Sequence, residues 1–142
     1  MLADFELQEL LATTQTVAIV GMSDRPDRDS HAVARFLQRN GYRIVPVNPN
    51  LTSPVLGEQP YASLKDIPFQ VDVVDIFRRS ETVASVVEEA IEIGAHTVWM
   101  QLGVVNVEVA KRAAAAGLKV VMNRCIAIEH RRLMRYTELV GK

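Results

Sequence analysis

Five short apolar runs, separated by stretches of helical periodicity, constrain this chain more than any other feature of its sequence. The runs are Val17-Ala18-Ile19-Val20, Ile44-Val45-Pro46-Val47, Val71 to Phe77, Thr97-Val98-Trp99-Met100 and Leu118 to Met122. Continuous β-branched runs of this length read as strands buried on both faces. Between them, Val83, Val86, Val87, Ala90 and Ile91 recur at helical spacing and lay one apolar stripe along a helix. Ser80 is the expected N-cap of that helix, Glu81 lies in its first turn and Gly94 ends it. The same grammar recurs with Ser30 before a helix that stops at Gly41, and with Asn106 before one that stops at Gly117. Flanking helices are expected at Phe5 to Leu11 and Ile128 to Leu139. Strands alternating with helices over short loops predict right-handed crossovers that cover a parallel sheet on both sides. The expected fold is therefore α/β and doubly wound, with a mainly parallel sheet of about five to six strands. The proline-rich stretch from Pro49 to Pro68 is irregular, with an expected edge strand near Val55-Leu56 and a helical turn from Ser63 to Ile67.

The 142 residues suit one domain, 1–142, since domains run most often to about 100–150 residues. No run of about 18 apolar residues is present, so no membrane helix is expected. The acidic start Met1-Leu2-Ala3-Asp4-Phe5-Glu6 lacks the basic and apolar regions of a secretory signal, and a cytoplasmic location is the expectation. A single cysteine, Cys125, excludes an intrachain disulfide and a cysteine-based zinc cluster. A net charge of −1 with scattered basic residues gives no nucleic-acid footprint, so an anionic ligand would need a local site.

Ligands of open α/β sheets bind beyond the carboxyl ends of the strands. Here those ends carry Gly21-Met22-Ser23, Asn48-Pro49, Arg78-Arg79, Gln101-Leu102-Gly103 and Asn123-Arg124-Cys125. The loop from Gly21 to Ser30 leads into a helix whose amides and dipole form an anion site, with phosphate as the expected occupant. Only Gly21 of a G-x-G-x-x-G fingerprint is present, and Asn48 stands where an NAD enzyme offers an acid to the ribose. NAD is thereby disfavoured, while Ser23, Arg25, Arg28 and Ser30 could wrap a diphosphate with hydroxyls and guanidinium forks. Arg25 and Arg28 could equally pair with Asp24, Asp27 and Asp29 on a solvated loop. His31 stands beside the expected cleft with ligand and packing roles both open, whereas His96 and His130 read as surface or packing residues. Cys125 near the cleft mouth reads as a half-buried, inert thiol, with a reactive one as the alternative. Neither a P-loop nor a G-x-S-x-G elbow occurs.

With these residues in view, the chain resembles the single-domain CoA-binding protein family, similar to the N-terminal domain of the succinyl-CoA synthetase α subunit. The resemblance rests on Val17 to Ser23 with Pro26-Asp27-Arg28, Gly41 to Pro49, Val55-Leu56-Gly57, Val73 to Arg78, Trp99 to Gly103 and Val120 to Cys125. It implies a Rossmann-like fold in which the loop Gly21, Met22, Ser23, Arg25, Arg28, Ser30 holds the diphosphate. It further implies that Val47, Asn48 and Pro49 border the adenosine, that Phe77, Arg78 and the helix near Val83 line the nucleotide pocket, and that Gln101 and Gly103 face the pantetheine. The family commonly has proline where this chain has Asp29, an aromatic where it has His31, a basic residue where it has Asn50, and aspartate where it has Asn123. Asp29 and Asn50 imply a weaker hold on the phosphates. At this length the region that would supply a phosphorylated histidine is not expected.

The resulting expectation is non-catalytic binding of coenzyme A or an acyl-CoA, with a homodimer or an unidentified protein partner left open. The alternatives are a small nucleotide-dependent oxidoreductase and a protein-interaction subunit with a vestigial cleft.

Overall fold

The computed structural model describes residues 2–141, with side chains through residue 134. The elements in chain order are α1 (Asp4–Thr13), β1 (Thr16–Val20), α2 (Asp29–Arg39), β2 (Arg43–Val47), β3 (Val73–Ile76), α3 (Val83–Glu92), β4 (Thr97–Met100), α4 (Val107–Ala115), β5 (Lys119–Met122) and α5 (Ile126–Gly141). Single 3₁₀ turns at Leu64–Asp66 and Ser80–Thr82 complete the chain.

The sheet has five strands, all parallel, in the order β2-β1-β3-β4-β5. It is the doubly wound, Rossmann-like architecture expected from the alternating pattern. Alternate residues of each strand feed two cores. On one face Val17, Ile19, Ile44, Val73 and Trp99 meet α1, α2 and α5 through Leu11, Leu37 and Ile126. On the other Ala18, Val20, Val45, Val74, Ile76 and Met100 meet α3 and α4 through Val83, Val87, Ala90 and Ala113. The stripe read at Val83, Val86, Val87 and Ala90 is buried as expected.

Local chemistry fixes the ends. Asn106 caps α4, its Oδ1 accepting the Val109 amide at 3.1 Å. Helices α2, α3 and α4 stop against Gly41, Gly94 and Gly117. At the amino ends of the strands, Asp72 accepts from the Gln15 and Thr16 amides at 3.0 and 2.9 Å, which aligns β1 with the entry to β3. Tyr42 donates its hydroxyl to the Leu11 carbonyl at 2.8 Å, tying α1 to the α2–β2 turn. Arg132 holds Asp4 at 2.8 Å and Glu129 at 2.6 Å, joining α1 to α5.

Three local expectations are corrected. Ser80 does not cap α3: it opens a 3₁₀ turn, Thr82 takes the cap position, and the Ser80 hydroxyl instead accepts the Val105 amide at 3.0 Å. Ser30 lies inside α2, whose cap position is Arg28. Val55 and Leu56 do not extend the sheet; Val55 pairs back onto Glu58 across a tight turn, and Tyr61 alone bridges to Val47. Val55 and Glu58 donate their amides to each other's carbonyls, at 3.0 and 2.9 Å, rather than to a ladder with the sheet.

His130 is a packing residue, edge-on to Phe36 and Tyr42 with ring centroids 5.5 Å away in each case, whereas His96 is exposed beside Asp72. Among the described residues no helix is long and apolar enough to cross a membrane, and no cluster of His, Cys, Asp and Glu could hold a metal ion.

Candidate functional site

The strand order reverses between β1 and β3, since the chain leaves β1 for β2 on one side and β3 continues on the other. Loops diverging from such a switch point leave a crevice at the carboxyl ends of the strands. Two hollows occupy it. The larger, about 620 Å³, lies over β3, β4 and β5 and is bounded by Phe77, Arg78, Gln101 and Gly103. Asp29 and Val33 of α2 form one wall, while Leu102, Cys125 and Ile128 form the outer rim. The smaller, about 150 Å³, lies over β1 and β2 between Val20, Val47 and Leu64 on one side and Thr82, Ser85, Val86 and Glu89 on the other. Arg78 borders both, and its Nε is buried with no hydrogen-bond partner.

The first loop is organised by its own polar groups. Gly21 turns with φ +85° directly beneath the Phe77 carbonyl and leaves no room for a side chain. Its amide donates to the Val47 carbonyl at 2.8 Å. The Ser23 amide donates to the Ser30 hydroxyl at 2.9 Å, and the Ser23 hydroxyl accepts the Arg25 amide at 3.1 Å. Asn48 donates to the Met22 carbonyl at 3.0 Å and accepts the Asn50 amide at 3.0 Å, clamping the ends of β1 and β2 together. Arg25 pairs with Asp27 at 3.4 Å on open surface, the solvated alternative that the sequence allowed. The Arg28 side chain makes no ion pair among the described residues and is exposed at the start of α2.

The second rim is braced as well. Asn123, left-handed at φ +60°, accepts the Gly103 amide at 2.8 Å and fixes the β4 loop against the end of β5. Gln101, buried in the cavity wall, accepts the Ile126 amide at 3.0 Å and so caps α5. Trp99 donates to the Arg124 carbonyl at 2.8 Å.

Of the residues expected at the site, Phe77, Arg78, Gln101 and Gly103 converge on the larger hollow and Val47 on the smaller one. Gly21, Ser23, Ser30 and Asn48 shape the loop through the bonds above. Met22 and Val83 do not fit the expectation of a ligand-lining role: both side chains are fully buried in the two cores. The face of α3 that reaches the cleft is Thr82, Ser85, Val86 and Glu89, one flank over from the stripe at Val83. Pro49 is exposed and lines neither hollow. Sequence reasoning also passed over Ser63 and Glu89; helical phase places Glu89 beside Val86 and was the available signal. His31 is buried, with Nδ1 lacking a hydrogen-bond partner.

Residues 15–131 match the family model described as "CoA binding domain". Over 125 residues the chain is 42% identical to the uncharacterised protein YneT of Bacillus subtilis (strain 168), covering 88% of this chain and 92% of YneT. A hypothetical protein from Pyrococcus horikoshii OT3 superposes with a TM-score of 0.90 at 41% identity, covering 94% of this chain and 93% of that one. A Thermus thermophilus protein, cell-free ID.343, does so with a TM-score of 0.90 at 36% identity, covering 93% and 99%. By the extent of the family match and of these relatives, the chain belongs to the CoA binding domain family.

Proposed function

We propose that the chain binds coenzyme A or an acyl-CoA along the carboxyl ends of its strands and leaves the ligand chemically unchanged. The observation that carries this reading is the position of Arg78. Its guanidinium stands between the two hollows, and its buried Nε has no partner within the protein. A buried N–H without an acceptor is costly, and a diphosphate laid across the divide supplies one. The smaller hollow then takes the adenosine end and the larger, mostly apolar one takes the pantetheine arm. Arg28 lines neither hollow, but it stands exposed at the amino end of α2, next to Asp29 of the larger hollow, where that end of the helix favours an anion. Asp29 lines the same hollow and opposes the phosphate charge, which fits a modest affinity.

Isothermal titration with CoA, NAD and NADP tests the reading, with CoA expected to bind tightest. Tighter binding of NAD would overturn it. Selective binding to the folded protein must also raise its melting temperature, by about 2.7 kcal/mol of stability at a hundredfold excess over Kd. Acetyl-CoA incubated with the protein should be recovered intact. A melting temperature indifferent to millimolar CoA favours the vestigial-cleft alternative.

A further inference from the structure

Two polar atoms at the lining of the smaller hollow are buried without a hydrogen-bond partner: Arg78 Nε and Glu89 Oε1. Glu89 comes from the same α3 flank as Thr82, Ser85 and Val86, on consecutive helical turns, so its position is fixed by the packing of the helix. Val20, Val47, Leu64 and Val86 supply apolar wall, and Ser63, Thr82 and Ser85 add polar wall. A slot of about 150 Å³ with mixed apolar and polar walls suits a planar heteroaromatic ring. A buried carboxylate oxygen without a donor is unfavourable, and it is relieved when a ligand brings the N–H. In the CoA reading Arg78 Nε, on the divide between the hollows, is left to the diphosphate.

At its N7 edge adenine offers such an N–H, its exocyclic 6-amino group, whereas a 6-oxo purine turns an acceptor oxygen to the same edge. That oxygen would meet the lone pairs of Glu89. We propose that Glu89 is the residue by which this cleft selects 6-amino over 6-oxo purines. The inference rests on the CoA reading only in taking the smaller hollow as the base end of the ligand. A site built to hydrogen-bond one group rejects the analogue lacking it, because its own buried polar atoms are then left unpaired.

The test is titration of wild type, Glu89→Gln and Glu89→Ala with CoA, ADP and IDP. Wild type is expected to bind ADP at least about tenfold more tightly than IDP. The amide of Glu89→Gln can donate to a 6-oxo group, and both variants should bring the two nucleotides within about threefold of each other. Melting temperatures of both variants should stay close to that of wild type, since Glu89 is half-buried and its Oε1 makes no hydrogen bond within the protein. Equal binding of ADP and IDP by wild type, binding of neither, or unchanged preference in both variants would overturn the inference. CoA binding without base discrimination sinks this inference and leaves the CoA reading standing. ADP preference without CoA binding does the reverse.

Discussion

Phe77 closes over Gly21 so tightly that a Cβ on residue 21 would stand 2.3 Å from the Phe77 carbonyl oxygen. That oxygen belongs to the backbone at the end of β3 and cannot swing away as a side chain could. The same residue also needs φ +85°, which L side chains rarely adopt. Gly21→Ala should therefore cost about 2–5 kcal/mol, from overpacking and backbone strain together. The fall in melting temperature is expected to be on the order of 5–15 °C in circular dichroism. A variant melting within about a degree of wild type would show that β1 and β3 can separate at no cost.

Arg28 and Arg78 are expected to differ in how salt governs their contributions. Arg28 is exposed and acts through screened water, so Arg28→Ala should weaken CoA binding roughly two- to fivefold at low salt and hardly at all near 0.5 M. Arg78 is half-buried between the hollows, where Arg78→Ala would remove the charge-assisted hydrogen bond proposed to the diphosphate, worth about 1.5–3 kcal/mol. Its loss of tenfold or more should persist at both salts. Parallel titrations of the two variants check this, and equal salt dependence would return Arg78 to a surface role.

Asp75 faces the core between Ile19 and Trp99, fully buried, with both carboxylate oxygens lacking a hydrogen-bond partner among the described residues. Burial pushes its carboxyl well above the usual carboxylate range. A carboxyl that keeps its proton in the folded state and loses it in the unfolded state makes stability fall as pH rises. Its favourable contribution is full below the unfolded value near 3.8 and is lost as pH climbs through the raised folded value. Asp75→Asn carries no ionisation penalty, so it should raise the melting temperature at pH 8 by roughly 3–6 °C and by much less at pH 4. Equal effects at the two pH values would place the folded and unfolded carboxyls on the same titration.

The sheet was legible because a strand buried on both faces has no freedom in composition: Val17–Val20 and Thr97–Met100 could be little else. Asn106 and Gly94 were legible because capping is local, decided within a few residues. Ser80 and Ser30 misled for a related reason. A serine hydroxyl serves any amide that tertiary structure brings near, and Val105 and Ser23 lie 25 and 7 residues away. Val83 was placed on the right helix but on the wrong flank of it. Periodicity marks the face that meets the sheet; which neighbouring flank meets a cleft depends on where the β2 to β3 connection deposits Leu64. Gly21 belongs to the loop expected to hold a diphosphate, and the close approach its missing side chain permits is to Phe77. Glu89 and Arg78 Nε matter through what they lack, and a missing partner is written nowhere in a linear sequence.

Because all five strands point the same way, every loop of the proposed cleft leaves from one pole of the molecule. Arg78, Gln101 and Gly103 crowd one pole, while the clasp of Asp72 on Gln15 and Thr16 sits at the other, a strand's length away. A change at the Asp72 clasp therefore reaches stability without touching the cleft, whereas a change at Gly21 or Gln101 reaches both.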